Sequence, residues 1–341
     1  MAMIGIGVIG YGYWGPNLVR NFAETHSVQV IAVSDLQPGR LAQVQARYPA
    51  IETTSDYRDL LSNPRIHAIV IATPVSTHYS LALQSLQAGK HVLVEKPLTA
   101  TVEQGERLIE EASRRQLVLM VDHTFVYTGA VRKIKELVDQ GHLGKLLYFD
   151  SVRVNLGLFQ HDVNVLWDLA VHDLAIMDFI LGVQPQAVAA TGIAHLSGQP
   201  ENVAYLTCFF EDNFLAHFHV NWMAPVKVRQ MLIGGDKQMV VYDDIEPSEK
   251  IKVYDKGVTL SNNSPEGVYQ MLVGYRTGDM WAPRLDGTEA LKIEAAHFVD
   301  CVQNQTIPLT DGRVGLRVVR VLEAASQSLA ERGRLIELDK L

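Results

Sequence analysis

Short apolar runs alternate with amphipathic segments over the first third of the chain. The apolar runs are rich in Val and Ile and nearly continuous, which is typical of strands buried on both faces. They are Ile4–Ile9, Val28–Ser34, Ala68–Ala72, His91–Val94 and Leu117–Val121. The amphipathic segments predict helices over Pro16–His26, Thr77–Ala88 and Thr101–Arg115, and Thr101 with Gln104 forms a capping box at the start of the last one. Strands that alternate with helices predict a parallel, doubly wound sheet, the Rossmann type of α/β fold.

Beyond about Phe125 the apolar positions recur at every second residue instead. This period of two predicts strands of an antiparallel sheet with one buried face. The segments concerned are Leu146–Asn155, Val203–Phe210, Phe214–Trp222, Gln230–Ile233, Met239–Tyr242 and Lys250–Asp255. Helical patterns occur at Gly129–Gln140, Val165–Leu181, Glu289–Gln303 and Val314–Arg332. We therefore predict a Rossmann domain over residues 1–124 and an α+β domain with a large, mostly antiparallel open sheet over residues 125–341.

Composition narrows the class of protein. The 341 residues carry 38 acidic and 30 basic side chains, a formal net charge of -8, which disfavours non-specific binding to nucleic acid or to a membrane surface. Cys208 and Cys301 form no CxxC pair, so no zinc ribbon or redox pair is predicted. The N-terminus lacks the features of a signal peptide, and we expect a cytoplasmic protein.

A glycine-rich turn follows the first predicted strand. Gly10-Tyr11-Gly12-Tyr13-Trp14-Gly15 fits the pattern G-x-G-x-x-G between a strand and a helix, which is the context that a dinucleotide-binding turn requires. In such a turn the first glycine permits the tight bend, the second admits the pyrophosphate and the third allows close packing of helix on strand. The anion then meets the positive end of the helix dipole.

Asp35 ends the second predicted strand, twenty residues after Gly15. A carboxylate there accepts hydrogen bonds from the ribose hydroxyls of NAD and repels the 2′-phosphate of NADP, so NAD is the expected cofactor. Arg40 weakens this preference for NAD, since its guanidinium can bind a phosphate or stack on adenine.

Two further strand ends carry candidates for the nicotinamide side. Thr73 and Pro74 follow the third strand and His78 lies in the next helix; His78 is equally well explained as a surface residue. Glu95-Lys96-Pro97 ends the fourth strand, and a lysine at the end of a buried strand indicates a function; the alternative is a lysine that extends its ammonium into solvent.

Asp168 and His172 lie four residues apart on a predicted helix. This spacing places a carboxylate and an imidazole on one helix face, an arrangement suited to proton transfer near neutral pH. The alternatives are a capping Asp168 with a core His172, or a metal site shared with His161 and Asp162; we expect no metal.

Hydrogen-bonding and aromatic side chains in the second domain are candidates for binding the substrate. Sugar sites commonly combine a flat aromatic ring with several fixed polar groups. The candidates are Tyr127, Arg153, Asn155, Asn164, Trp222 and Arg276. Each is equally compatible with a structural role.

The order of GxGxxG, Ala-Thr-Pro, Glu-Lys-Pro and Asp-x-x-x-His resembles the glucose–fructose oxidoreductase/inositol dehydrogenase (Gfo/Idh/MocA) family over nearly the whole chain. The resemblance implies a Rossmann domain followed by an α/β domain with an open sheet, NAD or NADP as cofactor, and dimers or tetramers associated through that sheet. It also implies that Lys96, Asp168 and His172 are the catalytic residues. The stretches at 151–157 and 309–317 resemble a subgroup associated with nucleotide-sugar metabolism.

The expected function is therefore an NAD-dependent oxidoreductase that transfers a hydride at a carbinol carbon of a sugar, with C3 of a nucleotide-linked N-acetyl sugar as the leading expectation. A dehydrogenase of a free cyclitol or aldose is the first alternative. A sensor that holds a dinucleotide without turnover is the second, although such a protein has no need for proton-transfer groups at the nicotinamide. Whether Lys96 or His172 is the acid–base stays open.

Overall fold

The computed structural model describes residues 3–157, 163–255, 257–260 and 273–338. Numbered along the chain, the strands are β1 (Ile4–Ile9), β2 (Val28–Ser34), β3 (Glu52–Thr54), β4 (Ala68–Ile71), β5 (His91–Glu95), β6 (Leu119–Asp122), β7 (Leu146–Leu156), β8 (Ala187–Ile193), β9 (Val203–Phe209), β10 (Leu215–Asn221), β11 (Met223–Gly235), β12 (Met239–Asp243), β13 (Ile251–Tyr254), β14 (Gly257–Leu260), β15 (Val273–Arg276), β16 (Met280–Trp281) and β17 (Ile336–Glu337). The helices are α1 (Gly15–Ala23), α2 (Pro38–Arg47), α3 (Arg58–Ser62), α4 (Val75–Gln87), α5 (Val102–Arg115), α6 (Gly129–Asp139), α7 (Val171–Leu181), α8 (Ala290–Asn304) and α9 (Gly312–Ala330). A 3₁₀ turn covers Thr124–Tyr127 and a π-helical turn covers Leu166–Ala170.

The chain forms two units, and the division differs from the boundary predicted at residue 124. The first unit contains residues 1–128 and 288–323, and the second contains 129–287 and 324–341. The later segment joins the first unit by hydrogen bonds to β6. Val121 N–H donates to the Thr310 carbonyl at 2.8 Å, and Thr310 Oγ1 donates to the Val121 carbonyl at 2.7 Å. An amphipathic pattern shows which face of a helix is apolar but not which sheet it covers, so the sequence did not reveal this return.

The first unit contains the predicted parallel sheet. Within the described residues six strands pair in the order β3-β2-β1-β4-β5-β6, and all five pairings are parallel. β1 and β4 are buried along their whole length, as the continuous apolar runs predict. The short α2 was not predicted because Val44 is its one buried residue and provides no apolar stripe. The predicted cap of α5 is confirmed, since Gln104 N–H donates to Thr101 Oγ1 at 3.3 Å.

The parallel arrangement brings the carboxyl ends of the strands to one edge of the sheet. Gly10, Asp35, Ala72, Lys96 and His123 each follow the last residue of a strand at that edge. In open parallel sheets this edge is where ligands bind. The chemistry of the first unit should therefore be sought there.

The second unit contains the predicted open sheet. In the described part of the chain nine strands pair in the order β16-β13-β12-β11-β7-β10-β9-β8-β17. Neighbours are antiparallel except β7 and β10, which run parallel. Ala216, Phe218 and Val220 alternate along β10 as buried residues, and Phe218 packs against Phe149 at 5.8 Å between ring centroids. The predicted fold class is thus confirmed in both units.

The predicted helix over Val165–Leu181 is divided in the structure. Leu166–Ala170 form a π-helical turn, and α7 begins at Val171. Single π turns inside helices occur frequently at functional sites. Among the helices of the described residues, none has the length and hydropathy needed to cross a bilayer.

Candidate active site

Two of the three glycines in the turn after β1 are required by backbone packing. Gly10 has a φ of +98°, and a Cβ there would lie 2.3 Å from the Ala72 carbonyl oxygen. A Cβ on Gly15 would lie 2.4 Å from the Gly10 carbonyl oxygen. Both contacts are far below van der Waals distance, so any other residue at these positions would force the backbone of the turn or of the start of α1 to shift.

Gly12 differs, because the protein leaves room for a side chain there. The nearest atom to a Cβ on Gly12 would be Nη1 of Arg40, at 3.6 Å. Packing therefore does not require glycine, whereas close approach of a ligand to the backbone does. The turn leads directly into α1, whose first N–H groups have no partner within the helix. This combination fits the pyrophosphate of a dinucleotide.

The aromatic residues of the turn have three different environments. Tyr11 is buried, and burial raises the pKa of its hydroxyl. Tyr13 is 91% exposed. The indole N–H of Trp14 donates to Oδ2 of Asp122 at 3.1 Å, which ties the turn to the end of β6. Trp14 thus supports the turn from the sheet side.

Asp35 holds the turns around it and is buried at the end of β2. Its Oδ2 accepts from the Tyr11 backbone N–H at 2.7 Å, and its Oδ1 accepts from the Gln37 N–H at 2.8 Å. Arg40 lies beside it, with Nη1 to Oδ2 at 3.3 Å. A carboxylate has about four acceptor positions, so these donors leave capacity for a ribose hydroxyl.

His78 is not placed as a contact for the cofactor. It is 1% exposed, with Nδ1 at 2.8 Å from the Pro97 carbonyl and Nε2 at 2.8 Å from the Thr73 carbonyl. The pKa of the imidazole is lowered, because the effect of burial outweighs the two hydrogen bonds to the carbonyls, which raise it. The ring joins the segment after β4 to the segment after β5. Thr73 is half-buried and Pro74 exposed at this edge.

Glu95 and Lys96 differ in their surroundings. The Lys96 side chain is half-buried, whereas Oε1 of Glu95 is fully buried. The Lys96 backbone N–H donates to Glu95 Oε2 at 3.2 Å. Burial, followed by the neighbouring Asp122 carboxylate, raises the pKa of Glu95 well above its ordinary range. Glu95 is thus enclosed at the edge of the sheet. It is not directed at a cofactor, although the sequence had predicted that it binds one.

In the second unit, Trp222 holds Asp168. The indole N–H of Trp222 donates to Asp168 Oδ2 at 2.9 Å, and Trp222 is 0% exposed. Trp222 therefore fixes the carboxylate and does not present its ring to a sugar, contrary to the prediction. Asn164 also has a local role, since its Oδ1 accepts the N–H groups of Leu166 and Trp167 at 3.1 and 3.3 Å. His172 is half-buried at the start of α7.

Arg153 and Tyr127 were predicted to bind substrate, and the structure buries both. Arg153 Nε donates to Asp173 Oδ1 at 2.8 Å, and Ser151 Oγ donates to Asp173 Oδ2 at the same distance. Burial lowers the pKa of Arg153, but the pairing with Asp173 outweighs it and the net shift is upward. Tyr127 is 2% exposed, with its hydroxyl 3.1 Å from Thr310 Oγ1.

The remaining predicted residues are Asn155, Arg276, His161 and Asp162. Asn155 is half-buried near the end of β7. The Arg276 side chain and both His161 and Asp162 lie outside the described residues.

Sequence reasoning missed Asp122 and Glu294 of the first unit. Asp122 ends β6 at the same edge as Lys96, so the strand-end rule applied to it as well. Glu294 is fully buried on α8 and had no local signal, since a charged residue on an amphipathic helix is ordinarily exposed.

A parallel sheet of this order, a glycine turn that opens a helix and a carboxylate after β2 define a dinucleotide-binding Rossmann protein. The chain belongs to the Gfo/Idh/MocA oxidoreductase family. Residues 4–123 match the model of its NAD-binding Rossmann fold, residues 131–241 match the model of its C-terminal domain, and together they cover more than half of the chain. The protein is thus an oxidoreductase of the dehydrogenase type that acts on a small molecule.

Relatives of known activity align over nearly the full length. UDP-N-acetylglucosamine 3-dehydrogenase of Acidithiobacillus ferrooxidans is 27% identical over 322 residues, which cover 92% of this chain and 93% of that protein. Myo-inositol 2-dehydrogenase of Thermotoga maritima is 23% identical over 354 residues, covering 98% and 99%. The solved structure of UDP-N-acetylglucosamine 3-dehydrogenase GnnA from A. ferrooxidans matches with a TM-score of 0.80 at 25% identity, over 97% of this chain and 99% of that one.

Proposed function

We propose that this protein oxidises a carbinol carbon of a sugar with NAD, and that the substrate is a nucleotide-linked N-acetyl sugar oxidised at C3. The observation that supports this substrate assignment is the similarity to UDP-N-acetylglucosamine 3-dehydrogenase, which spans more than nine-tenths of both chains. The reaction class follows from the family.

The first unit supplies the groups for holding the cofactor. The backbone at Gly12 and the N-terminus of α1 bind the pyrophosphate, and Asp35 accepts hydrogen bonds from the ribose of the adenosine half. A bound NAD would supply the acceptor for the hydride. Because Asp35 would repel a 2′-phosphate, NAD is preferred to NADP, and Arg40 limits the size of that preference.

Lys96, Asp168 and His172 carry the chemistry in this proposal. His172 takes the proton of the substrate hydroxyl, and the Lys96 ammonium stabilises the negative charge that develops on that oxygen. Asp168 is held by the Trp222 indole and orients the imidazole. In the alternative assignment Lys96 is the acid–base and His172 binds the hydroxyl.

A substrate panel tests the proposal. UDP-N-acetylglucosamine, UDP-glucose, free N-acetylglucosamine and myo-inositol are each offered with NAD and with NADP, and cofactor reduction is followed by absorbance. We expect the highest kcat/KM for UDP-N-acetylglucosamine with NAD. Turnover of myo-inositol alone would instead support the cyclitol dehydrogenase, which the relative from T. maritima favours. A His172→Asn variant with unchanged kcat and pH profile would assign the acid–base role to Lys96.

We also propose a homo-oligomer formed through the outer face of the second sheet. Tyr205, Phe209 and Leu215 are exposed on one face, because Phe209 and Leu215 are register partners on β9 and β10. Ile193 on β8 extends the same apolar face. An exposed sheet face with these apolar residues suits a symmetric dimer. Sedimentation velocity should show a dimer or tetramer for the native chain and a smaller species for Phe209→Glu.

A further inference from the structure

Three carboxyl side chains meet behind the strand end that carries Lys96; we call Glu95, Asp122 and Glu294 the carboxyl cluster. Glu95 and Asp122 are register partners on β5 and β6. Glu294 comes from α8 and is 0% exposed, and Asp122 is 2% exposed. All three belong to the first unit. Burying a carboxylate without a hydrogen-bond donor is energetically costly, so the protonation state of each of these carboxyl groups needs an explanation.

Asp122 receives donors, whereas Glu294 does not. Asp122 Oδ2 accepts from Trp14 Nε1 at 3.1 Å, and Oδ1 accepts from Thr124 Oγ1. Among the described residues neither oxygen of Glu294 accepts a hydrogen bond of ordinary geometry, and neither does Oε1 of Glu95. The Thr124 hydroxyl, which donates to Asp122, lies near Glu294 and lowers its pKa as the last of the causes. The donors therefore single out Asp122 as the ionised member of the cluster.

The two glutamates are close enough to Asp122 to share protons with it. Burial first, and then the charge and hydrogen-bonding proximity of Asp122, raise the pKa of Glu294 well above its ordinary range. The same causes act on Glu95, where the nearby Lys96 ammonium opposes them. Two carboxyl oxygens at hydrogen-bonding distance repel unless one is protonated, in which case it becomes a donor. A carboxylate offers about four acceptor positions, which two acids, one indole and one hydroxyl fill.

The other groups around the cluster do not provide this compensation. His123 is buried, and neither of its ring nitrogens has a partner in the described part of the chain; burial lowers the pKa of the imidazole to about 4, which keeps it neutral. The Tyr127 hydroxyl is paired with Thr310. Within the described residues no set of His, Cys, Asp and Glu side chains is arranged to hold a metal ion. The Lys96 ammonium lowers the pKa of Glu95 but leaves the net shift upward, so protons are the remaining means of balancing the charge.

We propose that Asp122 is the single anion of the carboxyl cluster, that Glu95 and Glu294 are neutral acids donating to it, and that this network is a positioning element for the dinucleotide turn and for Lys96. Asp122 holds the turn through Trp14, and Glu95 holds the backbone N–H of Lys96. The part that concerns Lys96 rests on the proposed function, whereas the protonation and the link to the turn do not.

Infrared spectroscopy tests the protonation without substrate or cofactor. We expect the native protein at neutral pH to show the carbonyl-stretch band of buried, un-ionised carboxylic acid. Glu294→Gln and Glu95→Gln should each remove part of it, and Asp300→Asn, at an exposed position of α8, should not. A native spectrum without this band, or a band that both glutamine variants retain, would overturn the proposal. If one glutamine variant does not fold, the other and the native spectrum still decide.

Dinucleotide binding tests the positioning role. Glu294→Gln keeps a neutral donor toward Asp122, so its Kd for NADH, measured by fluorescence, should stay within about twofold of the native value. Asp122→Asn removes the anion that Trp14 and both acids need, and the Kd should rise by about tenfold or more. Equal Kd values for native, Asp122→Asn and Asp300→Asn would refute the role. Absence of sugar turnover by the native protein, with these Kd values as expected, would count against the proposed function and not against the cluster.

Discussion

At the scale of single residues, Asp35 shows how one carboxylate combines two functions. It closes the turn by accepting the N–H groups of Tyr11 and Gln37, and it stands where the cofactor's ribose is proposed to bind. Its neighbour Arg40 carries a positive charge that can bind a 2′-phosphate once the carboxylate is removed.

We therefore predict that Asp35→Ala changes cofactor selectivity. The ratio of kcat/KM for NAD to that for NADP should fall by about tenfold or more, because repulsion of the phosphate disappears and Arg40 is released to bind it. The double variant Asp35→Ala, Arg40→Ala is the control, and it should recover little affinity for NADP. An unchanged ratio in Asp35→Ala would mean that selectivity lies elsewhere.

A Trp222 variant tests whether the hydrogen bond from its indole to Asp168 matters for activity. Trp222→Phe keeps the aromatic bulk but removes the N–H bonded to Asp168, so kcat should fall by about tenfold while stability changes by only about 1 kcal/mol. Trp167→Phe is a matched control, because that indole donates at 2.8 Å to Ser326 instead. If the two variants lose activity equally, the bond to Asp168 has no special role.

At the scale of elements, local signals were predictable and partner choice was not. The backbone geometry of the glycine turn, the cap of α5 and the strand runs depend on a few neighbouring residues, and these structural predictions are confirmed. Trp222 and Asp168 are 54 residues apart, and Arg153 and Asp173 are 20 apart. A polar side chain on a strand is equally suited to a ligand and to a buried partner, so the sequence assigned Trp222 and Arg153 to substrate.

The ion pair of Arg153 and Asp173 joins β7 to α7, the helix that begins beside His172. Removing one partner of a buried pair leaves a charge behind, so Arg153→Met should lower the free energy of unfolding by about 3 kcal/mol. Arg229→Met breaks the more accessible pair with Asp244 and should cost less than about 1 kcal/mol. Urea denaturation measures both. A stable Arg153→Met protein with a raised KM would restore the substrate role expected from the sequence.

We expect two glycines of the turn to have different roles, Gly15 in folding and Gly12 in binding of the dinucleotide. In Gly15→Ala the new methyl meets the Gly10 carbonyl, so we expect about 2 kcal/mol of destabilisation as well as weaker NADH binding. Gly12→Ala meets only Arg40 at ordinary distance, so stability should hold while the Kd for NADH rises by about tenfold or more. Thermal unfolding and NADH fluorescence provide the two measurements. Equal destabilisation of both variants would show that Gly12 is also needed for packing.

At the scale of the whole molecule, the features that the sequence did not predict are those that join segments distant in the chain. Residues 288–323 return to the first unit and bring Glu294 to β5 and β6, whose last residues lie 199 and 172 positions earlier in the sequence. The parallel pairing of β7 and β10 inside a mostly antiparallel sheet likewise depends on the path of the chain. Periodicity carries neither fact, because it describes each segment by itself.

Buried ionisable groups give the protein opposing dependences on pH. The raised pKa of Glu95 and of Glu294 means that their protonated forms stabilise the fold, and this contribution is lost as the pH rises from about 4.5 through the folded-state pKa. His123 acts in the other direction. Its folded pKa of about 4 lies below the ordinary 6.5, so the unfolded chain binds the proton first and stability falls as the pH drops between these values.

We predict that His123→Leu lowers the acid sensitivity of the protein, to which the lowered pKa values of His78 and His91 contribute in the same direction. Between pH 6.5 and about 4 the native protein should lose roughly 3 kcal/mol through this one imidazole, and the leucine variant should lose correspondingly less. Urea denaturation at a series of pH values measures the slopes, with His26→Leu, at an exposed position, as the matched control. Because the ring nitrogens of His123 have no partner among the described residues, leucine leaves no hydrogen bond unmade there and the variant should fold. Parallel slopes for native and His123→Leu would place the acid-sensitive group elsewhere, with the glutamates of the carboxyl cluster excluded because their effect has the opposite sign.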